Sequence, residues 1–226
     1  NECALPLIDL LERNGIDYRM RQMEMTFFSH RIVLDLTRVL RLAIDPYDTE
    51  AFLQVYYKLG TYIKKADARY IAERSRQRHM PVLDAALECG RLNAHALAGT
   101  KTLRTHLRNM LTERADKALY RITEYLGYAD YLTRSGINGE NKLAILRTLA
   151  SREASPAAFL ARMEALQEII QQKETNLQNW PAEKKSDLIH NYVMRYADRN
   201  ARKIDYGTGV RYTSVEMHVL EKICDN

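Results

Sequence analysis

Residues 27–52 read FFSHRIVLDLTRVLRLAIDPYDTEAF, and this stretch predicts a helix, a capped turn and a second helix. Apolar residues recur at the three- and four-residue steps of one helical face, whereas Arg31 and Asp35 fall mostly on the other face. The apolar face comprises Ile32, Val33, Leu36, Val39, Leu40 and Ala43. Asp45 and Pro46 are predicted to end the first helix and start the second, with Asp45 as the N-cap and Pro46 at the first helical position.

The whole chain has the composition of an ordinary globular protein. Of its 226 residues, 46% are hydrophobic and 28% are charged, and only nine are glycine and five are proline. This composition favours helix nearly throughout, so we predict an all-α fold, mainly a helical bundle. At most a short strand is expected near residues 16–20, where apolar and polar residues alternate. The net charge of +5 is compatible with nucleic-acid binding, although many basic proteins bind no nucleic acid.

Several kinds of site have no support in the sequence. Cys3, Cys89 and Cys224 are odd in number and lack CxxC spacing, so neither a disulfide framework nor a zinc site is indicated. The histidines show no metal-ligand spacing and no Walker-type phosphate loop occurs, so we predict no catalytic, cofactor or metal site in this chain. No apolar run approaches a membrane span, and we expect a soluble, cytoplasmic protein without membrane contact.

The densest positive charge follows the second helix. Between residues 64 and 78, six basic residues face only Asp67 and Glu73. The six are Lys64, Lys65, Arg69, Arg74, Arg76 and Arg78. This helix is either a DNA-backbone contact or an ordinary solvated face, and the sequence favours neither. Four tyrosines interleave with the charges: Tyr56, Tyr57, Tyr62 and Tyr70. At such spacings, tyrosines are more typical of a core than of a base-stacking surface.

The order of these features resembles a known family. A Phe-Phe pair at 27–28, a helix ending in Leu-Arg-Leu at 40–42 and the turn DPYDTEAF at 45–52 carry the resemblance. They are similar to the segment of UvrD/Rep/PcrA-type superfamily 1 DNA helicases that leaves motor subdomain 2A and enters accessory subdomain 2B. The upstream run LIDLLERNGIDYR at 7–19 resembles the end of motif IV in subdomain 2A, with Asp17 where proline is usual.

This resemblance implies a domain plan and a function. Residues 1–26 would be a remnant of subdomain 2A and residues 27–174 a helical 2B-like domain. The chain would be an accessory or regulatory part of an ATP-dependent DNA helicase, without a motor of its own. It would contact duplex or forked DNA weakly through the backbone, and it would pack against the remaining helicase subdomains. ATP and magnesium would belong to the parent helicase, which would be the ATP hydrolase, and not to this chain.

One departure from the family concerns the phosphate contact. Helicases of this type carry a Gly-Ile-Gly turn whose backbone amides contact duplex phosphates, and here Ile63, Lys64 and Lys65 stand at that place. Without the glycines the backbone loses the close approach that glycine permits. Lysine side chains can still reach a phosphate, so the basic residues remain the candidate contacts.

The helicase resemblance ends where the expected Thr-x-His-x-x-Lys-Gly-x-Glu motif does not follow. Residues 175–183 are polar and are predicted to form a linker. Residues 184–226 resemble the N-terminal part of a MarR-type winged-helix regulator, with a glycine loop at 206–209 and a capping box at 213–216. This resemblance implies self-association through the C-terminal helix and supports an alternative function: a helical protein-interaction or regulator-like module with no helicase role. Because the chain begins at Asn1, we expect a piece of a longer protein.

Overall fold

A computed structural model describes residues 2–16, 18 and 26–178 of the chain. These residues form helices, turns and loops without a strand, which confirms the predicted all-α class. Helices α1 to α11 span Leu5–Arg13, Thr26–Ser29, Arg31–Ile44, Thr49–Val55, Lys65–Arg78, Val82–Glu88, Ala94–Met110, Ala115–Tyr120, Tyr128–Arg134, Glu140–Ala150 and Pro156–Gln178. Of the strand considered near 16–20, only Ile16 and Tyr18 are described, and neither is in a strand. Among the described helices, none is long and apolar enough to cross a membrane.

Spatial contacts between Cα atoms group the chain into two compact units, Asn1–Glu174 and Thr175–Asn226. Helix α11 begins in the first unit and continues to Gln178. The predicted linker at 175–183 lies partly outside the described residues, and the MarR-like segment at 184–226 lies wholly outside them. The proposed domain limits therefore stay predictions.

Helix α3 lies at the centre of the first unit. It contacts α2, α4, α7 and α10, so its apolar face is covered on several sides. Ile32, Leu36, Val39 and Leu40 are all buried, as the helical spacing predicts. Each such side chain contributes about 1.5–3 kcal/mol when it is removed from water. The periodicity of residues 31–44 thus determines the element around which the other helices pack.

The turn after α3 differs from the prediction. Helix α4 begins at Thr49, and Asp48 is its N-cap, with its carboxylate accepting the Ala51 N–H at 2.8 Å. Asp45 instead closes a turn over Pro46, because its carboxylate accepts the Tyr47 N–H at 3.0 Å. The prediction that Asp45 caps the second helix was wrong, since that turn occupies the Asp45 side chain and delays the helix start.

A buried carboxylate joins α1 to the start of α11. Asp9 accepts hydrogen bonds from Arg13 at 3.0 Å, Arg152 at 2.8 Å and Arg162 at 2.6 Å. Burial alone would raise the pKa of Asp9, but the hydrogen bonds from the three guanidinium groups outweigh burial and lower it. Asp9 therefore stays ionised at neutral pH and holds α1 in place.

A histidine caps the central helix. The Nδ1 atom of His30 accepts the Ile32 N–H at 3.2 Å at the N-terminus of α3. An imidazole nitrogen accepts a hydrogen bond only when it carries no proton. Burial lowers the pKa of His30, and the positive charge of Lys142 lowers it further, against a smaller opposite effect of Glu2. The folded protein thus favours the neutral ring that the cap requires.

Acid should destabilise the protein through this cap. Because the folded-state pKa lies below the unfolded value of about 6.5, the stabilisation is complete above that pH and is lost as the pH falls through the folded pKa. The loss of an N-cap costs about 1 kcal/mol. Urea unfolding of wild-type protein and His30→Asn at neutral and mildly acidic pH measures the effect. Asparagine caps without titrating, so His30→Asn should lose less stability in acid; equal losses would contradict the assignment.

Candidate nucleic-acid interface

The candidate interface rests on a buried ion cluster. Asp35 of α3 is 1% exposed, and Lys58, at the end of the 3-10 turn Tyr56–Lys58, is 4% exposed. Lys58 Nζ lies 2.5 Å from Asp35 Oδ1, and the Tyr128 hydroxyl donates to Asp35 Oδ2 at 3.0 Å. Burial, together with the charge of Asp35, raises the pKa of Tyr128, so the phenol keeps the proton that it donates. One carboxylate thereby ties α3, the 3-10 turn and α9 together.

The assignment of Asp35 to the polar face of α3 was wrong. Asp35 lies three residues after Ile32 and four before Val39, so it shares their buried face. A charge is stable at such a position only when it is paired, and the sequence did not identify Lys58 as its partner. Arg31 and Arg38 lie at the rim of the cluster, 4.0 and 3.8 Å from the carboxylate oxygens.

The loop at residues 59–64 leaves this anchor and leads into α5. Thr61 and Ile63 point inward and are buried, whereas Tyr62 and Lys64 point outward and are exposed. The Thr61 hydroxyl donates to the Tyr56 carbonyl at 2.7 Å, which fixes the inward side. This alternation leaves Tyr62 and Lys64 on the exposed side of a loop with a held backbone.

Two glycines hold the same loop against its neighbours. The Gly60 N–H donates to the Leu126 carbonyl at 2.9 Å. A Cβ atom added at Gly99 of α7 would overlap the Gly60 carbonyl oxygen and lie 3.0 Å from Thr61 Cα. Because the obstructing atoms belong to the backbone, they cannot move aside as a flexible side chain would. The approach of the loop to α7 therefore requires glycine at position 99.

Tyr62 has a strained backbone. Its φ is 54°, in the left-handed region that costs a residue with a Cβ atom about 1–2 kcal/mol. The other described residue of this kind is His79, where the left-handed conformation ends α5 as a helix C-cap. No helix ends at Tyr62, so its conformation is not that of a helix C-cap. Glycine would adopt this left-handed conformation at a lower energy cost than the exposed tyrosine does.

Helix α5 spans Lys65–Arg78, close to the predicted basic helix, but its charges do not form one stripe. Its core-facing residues are Ala68, Ile71, Ala72 and Ser75. At about 100° per residue, Lys65, Arg69 and Arg76 follow one flank of this buried face, and Arg74 and Arg78 follow the other. The six predicted contact residues are thus split between two sides and two ends of the helix.

The two ends of α5 differ in what their charges contact. At the C-terminal end, Arg76 pairs with Glu50 at 2.6 Å and donates to the Thr49 hydroxyl, and Arg74 reaches the Glu88 carbonyl at 3.5 Å. Arg78, which completes this end, is exposed.

At the N-terminal end, Lys64, Lys65 and Arg69 are exposed and form no ion pair with a described residue. Their charges add to the positive end of the helix dipole. Three positive charges without an ion-pair partner among the described residues therefore follow Tyr62 closely along the chain.

The four tyrosines near α5 differ in how far they are buried. Tyr56 is buried, and Tyr70 is partly covered by Arg91, whose Cζ atom lies 3.7 Å from the ring centroid. Tyr57 and Tyr62 are exposed, so the prediction of core tyrosines was wrong for these two. Their neighbours in sequence fill the core instead, because the 3-10 turn and the strained loop rotate these rings outward.

A groove of about 200 Å³ opens between the loop, α7 and the turn before α9. It is lined by Leu59, Gly60, Thr61, Tyr62, Gly99, Thr102, Leu103, Tyr125, Leu126 and Gly127. Among the described residues, none that lines it is charged. Two exposed rings belong to it, since Tyr62 is 61% and Tyr125 is 59% exposed.

Both rings are supported from within the protein. The Tyr62 ring lies on His95, with centroids 4.0 Å apart, and the Tyr125 ring stacks on His106 at 5.8 Å. Arg121 lies 2.9 Å from His106 Nδ1, and because arginine only donates, that nitrogen is the acceptor. Burial lowers the pKa of His106, and the charge of Arg121 lowers it further. The neutral imidazole thus forms a flat base for Tyr125.

Several residues of this site could not be predicted from the sequence. Gly99, Tyr125 and Gly127 lie far from the basic segment along the chain, and only the fold brings them to it. Within the described part of the chain, no group of three or more potential metal ligands comes together. Comparison of the chain with protein-family models, with curated proteins and with solved structures found no match.

Proposed function

We propose that this chain is a non-catalytic accessory module of an ATP-dependent DNA helicase, and that it contacts duplex DNA through the backbone. The observation that carries the proposal is the exposed charge of Lys64, Lys65 and Arg69, none of which forms an ion pair with a described residue, beside an anchored loop. Because the loop and the helix end hold the backbone at these residues, binding has to order only their side chains and not the chain itself. The order of motifs at residues 7–52 supports the helicase assignment.

Binding of this kind should be weak and indifferent to base sequence, because phosphate contacts carry no base readout. Each neutralised phosphate adds about −0.9 to the slope of log K against log salt concentration, so three contacts predict a slope of about −3. Replacing Lys64, Lys65 and Arg69 by alanine should bring the slope close to zero. Helicity should remain, because alanine is the better helix former. Fluorescence anisotropy with a labelled blunt duplex at several salt concentrations measures both quantities.

The matched control lies on the same helix. Replacing Arg74, Arg76 and Arg78 by alanine removes the same charge from the other end, where Arg74 and Arg76 already contact protein atoms. This second triple variant should keep most of the salt dependence. An undetectable affinity of the wild-type protein for the duplex at low salt would reject the proposal, and so would an unchanged slope in the first triple variant.

A protein-interaction module is the second candidate, and one feature favours it. Leu7 and Leu10 of α1 and the nearby Ile16 are exposed apolar side chains. Such a group is typical of a surface that another protein covers. In a helicase this surface would meet the motor subdomain, whereas in a regulator it would meet a different partner. The neighbouring coding sequence distinguishes the two: a Walker loop upstream and a Lys-Gly-x-Glu motif downstream support the helicase, and a recognition helix with a wing supports the regulator.

A further inference from the structure

We infer that the groove between Tyr62 and Tyr125 binds an unpaired base of a single-stranded nucleic acid next to the duplex. This inference rests on the proposed function and adds to it a site for the base. Phosphate contacts alone explain Lys64, Lys65 and Arg69, but they leave the two exposed rings without a role. The rings therefore need a separate explanation.

The backbone at both rings is unusual. Tyr62 keeps a left-handed φ of 54°, and Tyr125 ends the π-helical turn Arg121–Tyr125. Strained residues and π-helical turns both occur frequently at functional sites. Both unusual backbone segments therefore place a tyrosine in the lining of the same groove.

The shape and charge of the groove fit a nucleotide. A base is flat and uncharged, and the described lining is neutral and carries two tyrosine rings. The lining glycines Gly60, Gly99 and Gly127 let the segments around the groove approach one another closely. The phosphate that accompanies a base is negative, and two exposed lysines lie close along the chain to lining residues: Lys101 precedes Thr102, and Lys64 comes two residues after Tyr62. A paired base is already stacked within its duplex, so an unpaired base is the occupant that gains most from a tyrosine ring.

The test compares one duplex in two forms, blunt and with a short single-stranded thymidine extension. The wild-type chain should bind the extended form about tenfold more tightly, which corresponds to about 1.4 kcal/mol and is within the range of one stacked base. Tyr62→Asn removes the ring and tolerates the left-handed backbone, so it should abolish this preference while the affinity for the blunt duplex stays unchanged. Tyr62→Phe keeps the ring and should keep the preference.

The control is Tyr47→Asn, at a tyrosine that is 53% exposed in the turn before α4 and lies outside the groove. It should retain the tenfold preference. Equal binding of both forms by the wild-type chain would overturn the inference and leave the proposed function standing. A preference that survives Tyr62→Asn, or one that Tyr47→Asn also abolishes, would overturn it too. A wild-type chain that binds neither form would reject the proposed function together with the inference.

Discussion

An Asp35→Ala variant should be about 3–5 kcal/mol less stable to unfolding than the wild-type chain. The substitution leaves the Lys58 ammonium buried without its counter-ion and the Tyr128 hydroxyl without its acceptor. A buried charge without a partner costs far more than an exposed ion pair contributes. Urea unfolding followed by circular dichroism measures the loss. Asp130→Ala, at an exposed aspartate of α9, should change the stability by less than about 0.5 kcal/mol.

A second variant of the buried ion cluster tests why Asp35→Ala loses stability. A triple variant that combines Asp35→Leu, Lys58→Met and Tyr128→Phe removes all three polar partners and keeps the volume. Apolar replacement of a buried ion pair is often neutral or stabilising, so the triple variant should recover most of the stability that Asp35→Ala loses. A triple variant that is as unstable as the sum of its single substitutions would show that packing, and not the unpaired charge, explains the loss.

A Gly99→Ala variant should lose about 1–3 kcal/mol of stability, because the new methyl group overlaps the Gly60 carbonyl. The loop at residues 59–64 must move away from α7 to relieve this overlap. Lys64 then leaves its place while Lys65 and Arg69 stay on α5, so the affinity for a blunt duplex should fall, but by less than in the variant without Lys64, Lys65 and Arg69. Thermal unfolding and the duplex titration measure the two effects.

Gly60→Ala is the matched control for this variant. It makes the same chemical change on the other side of the same contact, but its added Cβ meets no described atom closer than 3.9 Å. Its φ is not in the left-handed region, so alanine fits without strain. The stability should stay the same or rise slightly, and duplex binding should persist. If Gly60→Ala were as harmful as Gly99→Ala, the close approach at Gly99 would not be the cause.

Much of the fold could be predicted from local sequence patterns. The spacing of apolar residues predicted α3, and the basic segment predicted as a helix at residues 64–78 matches α5 nearly to its ends. These signals succeed because a helix buries one face and therefore repeats at a fixed interval. The turn between α3 and α4 was less predictable, since Asp45 and Asp48 are both good caps and only the geometry over Pro46 selects Asp48.

Of the candidate site, only the basic residues could be predicted from the sequence. Lys64, Lys65 and Arg69 were visible as a basic segment, but nothing near them in sequence distinguished them from Arg74 and Arg76, whose partners come from neighbouring elements. The burial of Asp35 depends on Lys58 and Tyr128, which are 23 and 93 residues away along the chain. Local periodicity contains no information about contacts of that range.

The arginine cluster around Asp9 has a consequence for how fast the chain folds and unfolds. Its contacts join Asp9 to residues 143 and 153 positions further along the chain. Chain segments so far apart meet at a high cost in chain entropy, whereas α3 and α4 are neighbours and meet early. We therefore expect α1 to dock after the rate-limiting step of folding. A contact that forms after that step slows unfolding without accelerating folding, so Asp9 governs the lifetime of the folded state more than the speed of its formation.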